Sequence, residues 1–307
     1  MKRFLTVILV TFFCGACYAQ HKIELNLTKG QVYEQKMSLV MAIKQTINNT
    51  DIVINMTING TTAFTVTDVK DGVYDIDVAY KSLGIKTEMP GIRTISFDSE
   101  KEDNNDTVST SLRMMKDKPF HMKMNKQGKL LAVSNVAHLY SSIFDKFPNL
   151  SPAQKQKIQG QLESSFGEKA FKNNLGNMMA FFPQSAISKG GKWTVKNSVA
   201  SANMDMQMDN SYTLDDVTAN QYLVSGVSQM TSPDAGASTM INGMSATTDM
   251  TGNVTTSMKI NKKSGWLEES ISNMNLKGVI SLKANDKMPN GMTIPMEISG
   301  KGTITAN

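Results

Sequence analysis

Apolar and polar residues alternate along most of this chain, and this two-residue period limits its fold more than any other feature. Successive side chains of a strand point to opposite faces, so the alternation predicts long strands with one apolar face and one polar face, as in antiparallel sheets. Helical patterns do not alternate with these stretches, which excludes a doubly wound α/β fold. The apolar residues of shared parity are Tyr33, Met37, Leu39, Met41, Ile43 and Ile47, then Ile52, Ile54, Met56 and Ile58, then Met204, Met206, Met208, Tyr212 and Leu214, and finally Val254, Met258 and Ile260.

Two short motifs predict hairpin turns between these strands. Asn59-Gly60 is a strong signal for a tight turn, with Thr62, Phe64 and Val66 returning the chain. Lys70-Asp71-Gly72 predicts the next turn, before the strand that begins at Val73.

Residues 136–182 interrupt the alternation with helical patterns. Ser134 or Asn135 can cap a first helix, with Val136, Leu139, Tyr140, Ile143, Phe144 and Phe147 on its apolar side. Ser151-Pro152-Ala153-Gln154 is a capping box that opens a second helix. A third helix is predicted near Glu168 to Phe182, and Pro183 ends it.

The chain repeats itself on either side of this helical block. Residues 64–76 match 212–224, and residues 124–135 resemble 260–273 in the same order. We therefore predict a mainly β (α+β) protein, a large curved antiparallel sheet or half-barrel built from two similar β halves. The halves are residues 20–135 and 183–307, and the helical insert, 136–182, packs on the concave face of a single structural unit.

The first nineteen residues have the pattern of a secretory signal. Lys2 and Arg3 precede an apolar run, and small residues end the segment at Ala19. Cleavage there predicts export across an inner membrane to the periplasm or cell surface, with no transmembrane segment in the mature chain. The alternative is cleavage before Cys17 and anchoring of the protein through lipidation of that cysteine.

The charge and the cysteine content of the mature chain argue against nucleic acid as a partner and against stabilisation by disulfide bonds. The formal net charge of +5 falls to +3 once Lys2 and Arg3 leave with the signal, which is too small to predict nucleic-acid binding. The two cysteines, Cys14 and Cys17, also leave if cleavage follows Ala19, so the mature chain relies on packing rather than disulfides.

No catalytic or metal-binding signature stands out. His21, His121 and His138 lack metal-ligand spacing, and acidic pairs such as Asp75 and Asp77 occupy the polar parity of a strand, where solvation is the ordinary state. We therefore expect a protein that is not an enzyme and requires no cofactor.

Methionine is unusually frequent, with 23 among 307 residues. Methionine can fill irregular cores, or its flexible thioether can line an adaptable groove for a lipid or another apolar ligand. Thioethers are also ligands for Cu(I), which leaves a Met-rich Cu(I) protein as a minor alternative. The residues predicted to line the groove are Met204, Met206, Met208, Tyr212, Phe171 and Met178.

Asp106-Thr107-Val108 follows a highly charged segment and matches an acidic–hydroxyl–apolar acceptor pattern. In an exported protein of the phylum Bacteroidota, this pattern predicts O-glycosylation of Thr107.

The Ala19-Gln20 ending, the stretch Leu27–Tyr33, and Pro183 followed by Gly190-Gly191-Lys192-Trp193 resemble an uncharacterised family of secreted Bacteroidota proteins. The resemblance covers nearly the whole mature chain but implies no known active residues. In architecture alone, the predicted sheet with inserted helices is similar to the half-barrels of periplasmic lipoprotein carriers and receptors.

Together these observations predict a non-enzymatic exported protein that binds a hydrophobic ligand, a lipid or acyl chain, between a curved sheet and a helical lid. The alternative is a structural or interaction protein of the cell envelope, with envelope proteins as partners and a core filled by its own side chains.

Overall fold

A computed structural model describes residues 19–101, 107–141, 143–147, 149–201, 204–232, 238–241, 244–285 and 288–306. The signal segment up to residue 18, with Cys17, lies outside these ranges. The side chains of Thr107, Met178 and Met204 also lie outside the described part, although their backbones are described.

Long strands make up most of the described chain. The strands are β1 (Gln20–His21), β2 (Val32–Ile47), β3 (Thr50–Lys70), β4 (Val73–Met89), β5 (Arg93–Asp98), β6 (Phe120–Asn125), β7 (Leu130–Ser134), β8 (Ile187–Ser188), β9 (Lys192–Ser201), β10 (Met204–Val217), β11 (Gln221–Thr231), β12 (Ser238–Ile241), β13 (Met244–Asn261), β14 (Leu267–Leu282) and β15 (Met292–Ala306). The α-helices are α1 (Thr107–Met115), α2 (Pro152–Phe166) and α3 (Glu168–Met179), with 3-10 turns at Val136–Leu139 and Ile143–Lys146.

Within the described ranges, thirteen of these strands form one antiparallel sheet that does not close on itself. Its main path runs β7-β6-β4-β3-β2-β15-β14-β13-β11-β10-β9, while β5 pairs with β4 and β12 pairs with β13. The two edges of this path are β7 and β9, and α3 packs against both of them. The predicted large antiparallel sheet with few helices is confirmed.

The sheet consists of two similar halves, as the sequence repeat predicted. The strands β2-β3-β4-β6-β7 and β9-β10-β11-β13-β14 follow the same order, and β15 joins one group to the other. The same backbone hydrogen bond recurs at the start of each group. Gly30 donates its N–H to the carbonyl of Val66 (2.8 Å), and Gly190 donates to that of Leu214 (2.7 Å).

An ion pair recurs beside each of these hydrogen bonds. Lys29 pairs with Asp68 at 2.9 Å, and Lys189 pairs with Asp216 at 2.6 Å. In each case the lysine hydrogen bond is the main cause that lowers the aspartate pKa, and a backbone N–H, of Val69 or Val217, also lowers it. The two halves therefore share side-chain contacts as well as strand order.

The helices cover one end of one face of the sheet, which we call the inner face. Phe171 of α3 stacks on Phe120 of β6 with 4.3 Å between ring centroids, and both rings are almost fully buried. Helix α2 begins with the predicted capping box, in which Ser151 and Gln154 exchange hydrogen bonds. The buried residues under the helices, which we call the helix-covered core, include Phe64, Val66, Tyr74, Ile76, Val78, Phe120, Met122, Met124, Leu139, Ile143, Phe171, Tyr212, Leu214 and Ile260.

The predicted hairpin turn at Asn59-Gly60 is wrong, because β3 continues through both residues. The turn lies instead at Asn48 and Asn49, whose φ angles are +50° and +62°. Two consecutive residues with positive φ suit the tight turn between twisted antiparallel strands, and asparagine tolerates that conformation. Gly60 lies within the ladder, opposite Leu83 of β4.

The helical segments also differ from the prediction at two places. The first predicted helix consists of the two 3-10 turns, where Leu139 and Ile143 are nonetheless fully buried. Helix α1 was not predicted; its Leu112 and Met115 are buried, and its Ser109 hydroxyl accepts the N–H of Asp98. Val108, Leu112 and Met115 have the helical i, i+4, i+7 spacing, but the helix is only nine residues long, shorter than the stretch over which helical periodicity is usually recognised.

Replacing Phe171 by aspartate should destabilise the fold by at least about 3 kcal/mol, because it removes a buried ring and buries an unpaired carboxylate. Urea denaturation of the purified variant measures this loss. Lys169→Asp, at an exposed position of the same helix, is the matched control and should stay near the wild type. Equal stability of Phe171→Asp and wild type would show that α3 does not dock as described.

Candidate functional site

The inner face stays apolar beyond the helices, across β2 to β5. Tyr33 of β2 packs against the helix-covered core. Every second residue after Tyr33 points to the same face of the sheet, so the odd-numbered residues of β2 extend this face along the strand. A bulge between β3 and β4 places Leu83 and Ile85 on the same side. We call this surface the open face; its residues are Met37, Leu39, Met41, Ile43, Ile54, Met56, Ile58, Leu83, Ile85 and Phe97.

Direct cross-strand pairs make the open face continuous. Leu39, Ile58, Ile85 and Phe97 are consecutive partners across four strands, and each is half-buried. Met37 at the helix-proximal end is 40% exposed. A contiguous, partly exposed apolar surface of this kind usually marks an interaction site in a soluble protein.

A second buried group, which we call the methionine cluster, adjoins the open face. Four of its six buried members are methionines and none is aromatic, unlike the helix-covered core with its many rings. Ile43 of the open face packs against this cluster and pairs directly with Ile298, one of its members. The buried members are Met206, Met230, Met250, Leu276, Met296 and Ile298, with Met208 and Met274 packed beside them.

Glycines on the inner face allow the cluster to form. A Cβ on Gly252 would collide with the carbonyl oxygen of Asn275 and lie 2.6 Å from the Leu276 side chain. A Cβ on Gly278 would collide with the carbonyl oxygen of Asp249 and lie 2.8 Å from the sulfur of Met250. The absence of side chains at these two positions lets strands approach closely and lets neighbouring side chains fold over the backbone.

The structure divides the residues predicted to line a groove between two places. Met206 and Met208 belong to the methionine cluster, while Tyr212 and Phe171 belong to the helix-covered core. Burial raises the pKa of Tyr212 to about 12, so its phenol stays neutral at ordinary pH. Met204 and Met178 lie on β10 and α3, and their side chains are outside the described part.

A polar pair on β10 and β11 separates the two groups. Asn210 and Ser228 are almost fully buried on the inner face, and the serine hydroxyl donates to the asparagine side-chain oxygen at 2.5 Å. The asparagine amide also donates to the carbonyl of Val195 at 2.9 Å. Side chains, rather than an open groove, therefore occupy the inner face between Met208 and Tyr212.

A charged cluster on the outer face was missed by sequence reasoning. His121 of β6 lies 3.0 Å from Asp77 through Nδ1 and 2.9 Å from Asp75 through Nε2, and Lys123 lies 2.9 Å from Asp75. The strand parity of Asp75 and Asp77 predicted their exposed face, but their cross-strand partners depend on the β4–β6 register. Among the described residues, no group of three or more His, Cys, Asp or Glu side chains could hold a metal ion.

Burial alone would lower the pKa of His121, but its hydrogen bonds to Asp77 and Asp75 outweigh burial and raise it. The protonated ring therefore adds stability that is fully present below the unfolded-state pKa, about 6.5, and is lost as pH rises through the higher folded-state pKa. The difference in free energy of unfolding between wild type and His121→Gln should accordingly shrink as pH rises above about 6.5.

Urea denaturation across a pH series measures this difference. Asp77→Asn, which removes one of the two contacts, should reduce the pH dependence without abolishing it. A pH-independent difference between wild type and His121→Gln would contradict the raised pKa.

Comparison with known proteins places the chain in a family. Residues 71–267, more than half of the chain, match the model of a family of unknown function, DUF6263. The chain belongs to this family. This confirms the membership in an uncharacterised family that its motifs suggested, and DUF6263 itself assigns no activity or site residue.

The remaining comparisons add no function to this DUF6263 member. A search of curated proteins finds no match. A lipovitellin structure, described by its lipid–protein interactions, is 8% identical with a TM-score of 0.46; the alignment covers 92% of this chain and 25% of lipovitellin. An outer membrane channel from Pseudomonas putida F1 is 6% identical with a TM-score of 0.23, covering 92% of this chain and 97% of the channel. Salmonella typhi OmpF with daunomycin is 8% identical with a TM-score of 0.23, covering 92% of this chain and 100% of OmpF.

The described part of the chain contains no helix long and apolar enough to cross a membrane. Thr107 and Val108 are the first two residues of α1, and Asp106 lies outside the described residues.

Proposed function

We propose that this protein is an exported, non-enzymatic binding protein for a hydrophobic ligand, such as a lipid or acyl chain, in the periplasm or at the cell surface. The observation that carries the proposal is the open face, a continuous, partly exposed apolar surface on an otherwise well-filled sheet. The space between sheet and helices holds the helix-covered core, so the ligand lies beside the helices rather than beneath them.

The size and composition of the open face suit a long, flexible ligand. The six-residue step from Met37 to Ile43 along β2 spans about 20 Å at the usual rise of a strand. An acyl chain laid along this length would cover the half-buried side chains of β2 and β3 and gain about 25 cal/mol for each Å² of apolar surface removed from water.

Methionine makes this surface adaptable. Met37, Met41 and Met56 lie on the open face itself, and Met41 pairs directly with Met56. Unbranched thioether side chains change rotamer readily and pack against ligands of different shape. We therefore expect tolerance of several chain lengths rather than recognition of one rigid molecule.

The helix-covered core, which the protein fills with its own side chains, supports a second candidate. In that alternative the protein is a structural or interaction protein of the envelope, and a partner protein covers the open face. The two candidates differ in what accompanies the protein when it is isolated from its host.

The test compares changes on opposite faces of the same strands. Leu39→Gln with Ile58→Gln places two amides on the open face, while Val40→Gln with Val53→Gln changes two exposed outer-face residues and is the matched control. We expect the first variant to bind a fluorescent long-chain fatty acid at least about tenfold more weakly, a loss of about 1.4 kcal/mol, and the control to bind as wild type does.

Native mass spectrometry of protein purified from its own host supplies the second measurement. Lipid that accompanies the wild type and the outer-face control, but not the open-face variant, supports the proposal. A clean unliganded mass together with no fatty-acid binding overturns it, and a protein partner lost only from the open-face variant establishes the interaction role.

A further inference from the structure

A cleft lies between the two edges of the sheet, apart from the open face. One side of its lining comes from the β6–β7 turn and β7, with Lys129 and Leu131, and the other from β9, with Val195 and Lys196. Helix α3, which packs against both edges, adds Gly176. The cleft has a volume of about 670 Å³, which is an ordinary size for a small-molecule site.

Close contacts hold the three elements around the cleft in place. Gly128 of the β6–β7 turn has a φ of +68°, and a Cβ there would collide with the carbonyl oxygen of Met179 at the end of α3. The turn therefore packs directly against the helix. On the other side, the indole N–H of Trp193 in β9 donates to the carbonyl of Phe181 at 2.7 Å. A cleft fixed in this way is formed before a ligand arrives, which lowers the entropy cost of binding.

Gly176 keeps the cleft open. A Cβ at this position would make only ordinary contacts with Leu130, the nearest at 3.9 Å, whereas a Cβ at Gly252 or Gly278 would collide with backbone. Packing therefore does not require glycine at position 176. Glycine within a helix is also destabilising relative to alanine. A glycine of this kind usually has a functional reason, and here a longer side chain would occupy the cleft.

The described residues that line the cleft include three lysines and no acidic side chain. Lys172 pairs with Glu168 at 2.7 Å, and Lys196 pairs with Asp209 at 3.2 Å, but both pairs are exposed to solvent. Exposed ion pairs contribute little stability, so these lysines can turn to a ligand at small cost. Lys129 forms no ion pair within the described part of the chain. The cleft is therefore suited to an anion.

We propose that this cleft binds a phosphate monoester that carries a short apolar chain. Lysine is a flexible point charge that commonly binds phosphate, and a phosphate monoester carries about −1.5 to −2 charges near pH 7. The apolar chain lies against Leu131, which is 47% exposed, and Val195. This site is additional to the hydrophobic-ligand site proposed on the open face and does not depend on it.

Isothermal titration calorimetry with octyl phosphate, below the concentration at which it forms micelles, tests the proposal on full-length mature protein. We expect one binding site. Octyl glucoside has the same chain without the charge, and inorganic phosphate has the charge without the chain. Each should bind at least about tenfold more weakly than octyl phosphate, because hydrogen bonds to charged groups and burial of apolar surface both contribute to the affinity.

Two pairs of lysine substitutions with the same change in net charge test the role of the lining. Lys129→Gln with Lys172→Gln should weaken octyl phosphate binding at least about tenfold, since it removes two of the three cations. Lys36→Gln with Lys157→Gln changes two exposed lysines of β2 and α2 outside the cleft and is the matched control. Equal losses in the two variants would show a general effect of charge and overturn the assignment.

A pair of glycine substitutions tests the position of the ligand. Gly176→Leu should fill part of the cleft and weaken binding at least about tenfold. Gly160→Leu, at a site of α2 where a Cβ would have no neighbour within 4 Å, should bind as wild type does. Both changes replace a helical glycine by a better helix former, and thermal denaturation establishes that both variants remain folded. Undiminished binding by Gly176→Leu would overturn the assignment.

The open-face variant, Leu39→Gln with Ile58→Gln, separates this site from the proposed hydrophobic-ligand site. It should bind octyl phosphate as wild type does, because its changes lie outside the cleft. Absence of octyl phosphate binding, equal affinity for octyl glucoside, or a loss confined to the open-face variant overturns the proposal. Fatty-acid binding on the open face is measured separately, so failure at one site is distinguishable from failure at the other.

Discussion

The structure depends on one constraint: an unclosed sheet of very long strands has an apolar inner face that is longer than the helices available to cover it. At 21 residues, β3 extends about 70 Å, far beyond the reach of the short helices. Aromatic and aliphatic residues fill one end beneath α2 and α3, and the methionine cluster fills another part of the inner face. The open face on β2 to β5 remains only partly covered, and a contiguous apolar surface of this kind commonly marks an interaction site.

The duplication explains where the helices lie. Each half is a series of antiparallel strands with an exposed edge, and such edges invite pairing with other chains. The insert connects β7 to β9, the two edges of the joined sheet, and α3 packs against both. In each half, a lysine that precedes the first strand forms an ion pair with an aspartate of the second strand. The pairs are Lys29 with Asp68 and Lys189 with Asp216. A segment that links the halves along the chain thus also shields their edges.

The sequence predicted strands, faces and the α2 cap, because alternation and capping are local properties. It failed where the outcome depends on partners distant in the chain. The sequence predicted a turn at Gly60, yet Gly60 lies within β3 and pairs with Leu83 of β4. The turn is formed by Asn48 and Asn49. Parity placed Met206, Met208 and Tyr212 on one face, but register and packing assigned them to different clusters. Asn210, a polar residue on that same apolar parity, was the local signal that the face is interrupted.

The composition of the methionine cluster follows from the close approach of its strands at Gly252 and Gly278. Across neighbouring strands, inner-face positions alternate between a small residue, glycine or serine, and a larger one. The larger side chain extends over its small neighbour, as Met250 does over Gly278. A β-branched side chain is too stiff at χ1 to bend in this way. An unbranched thioether fits and leaves a polarisable sulfur at the position where the strands converge. The demands of packing therefore concentrate flexible, polarisable side chains next to the open apolar face.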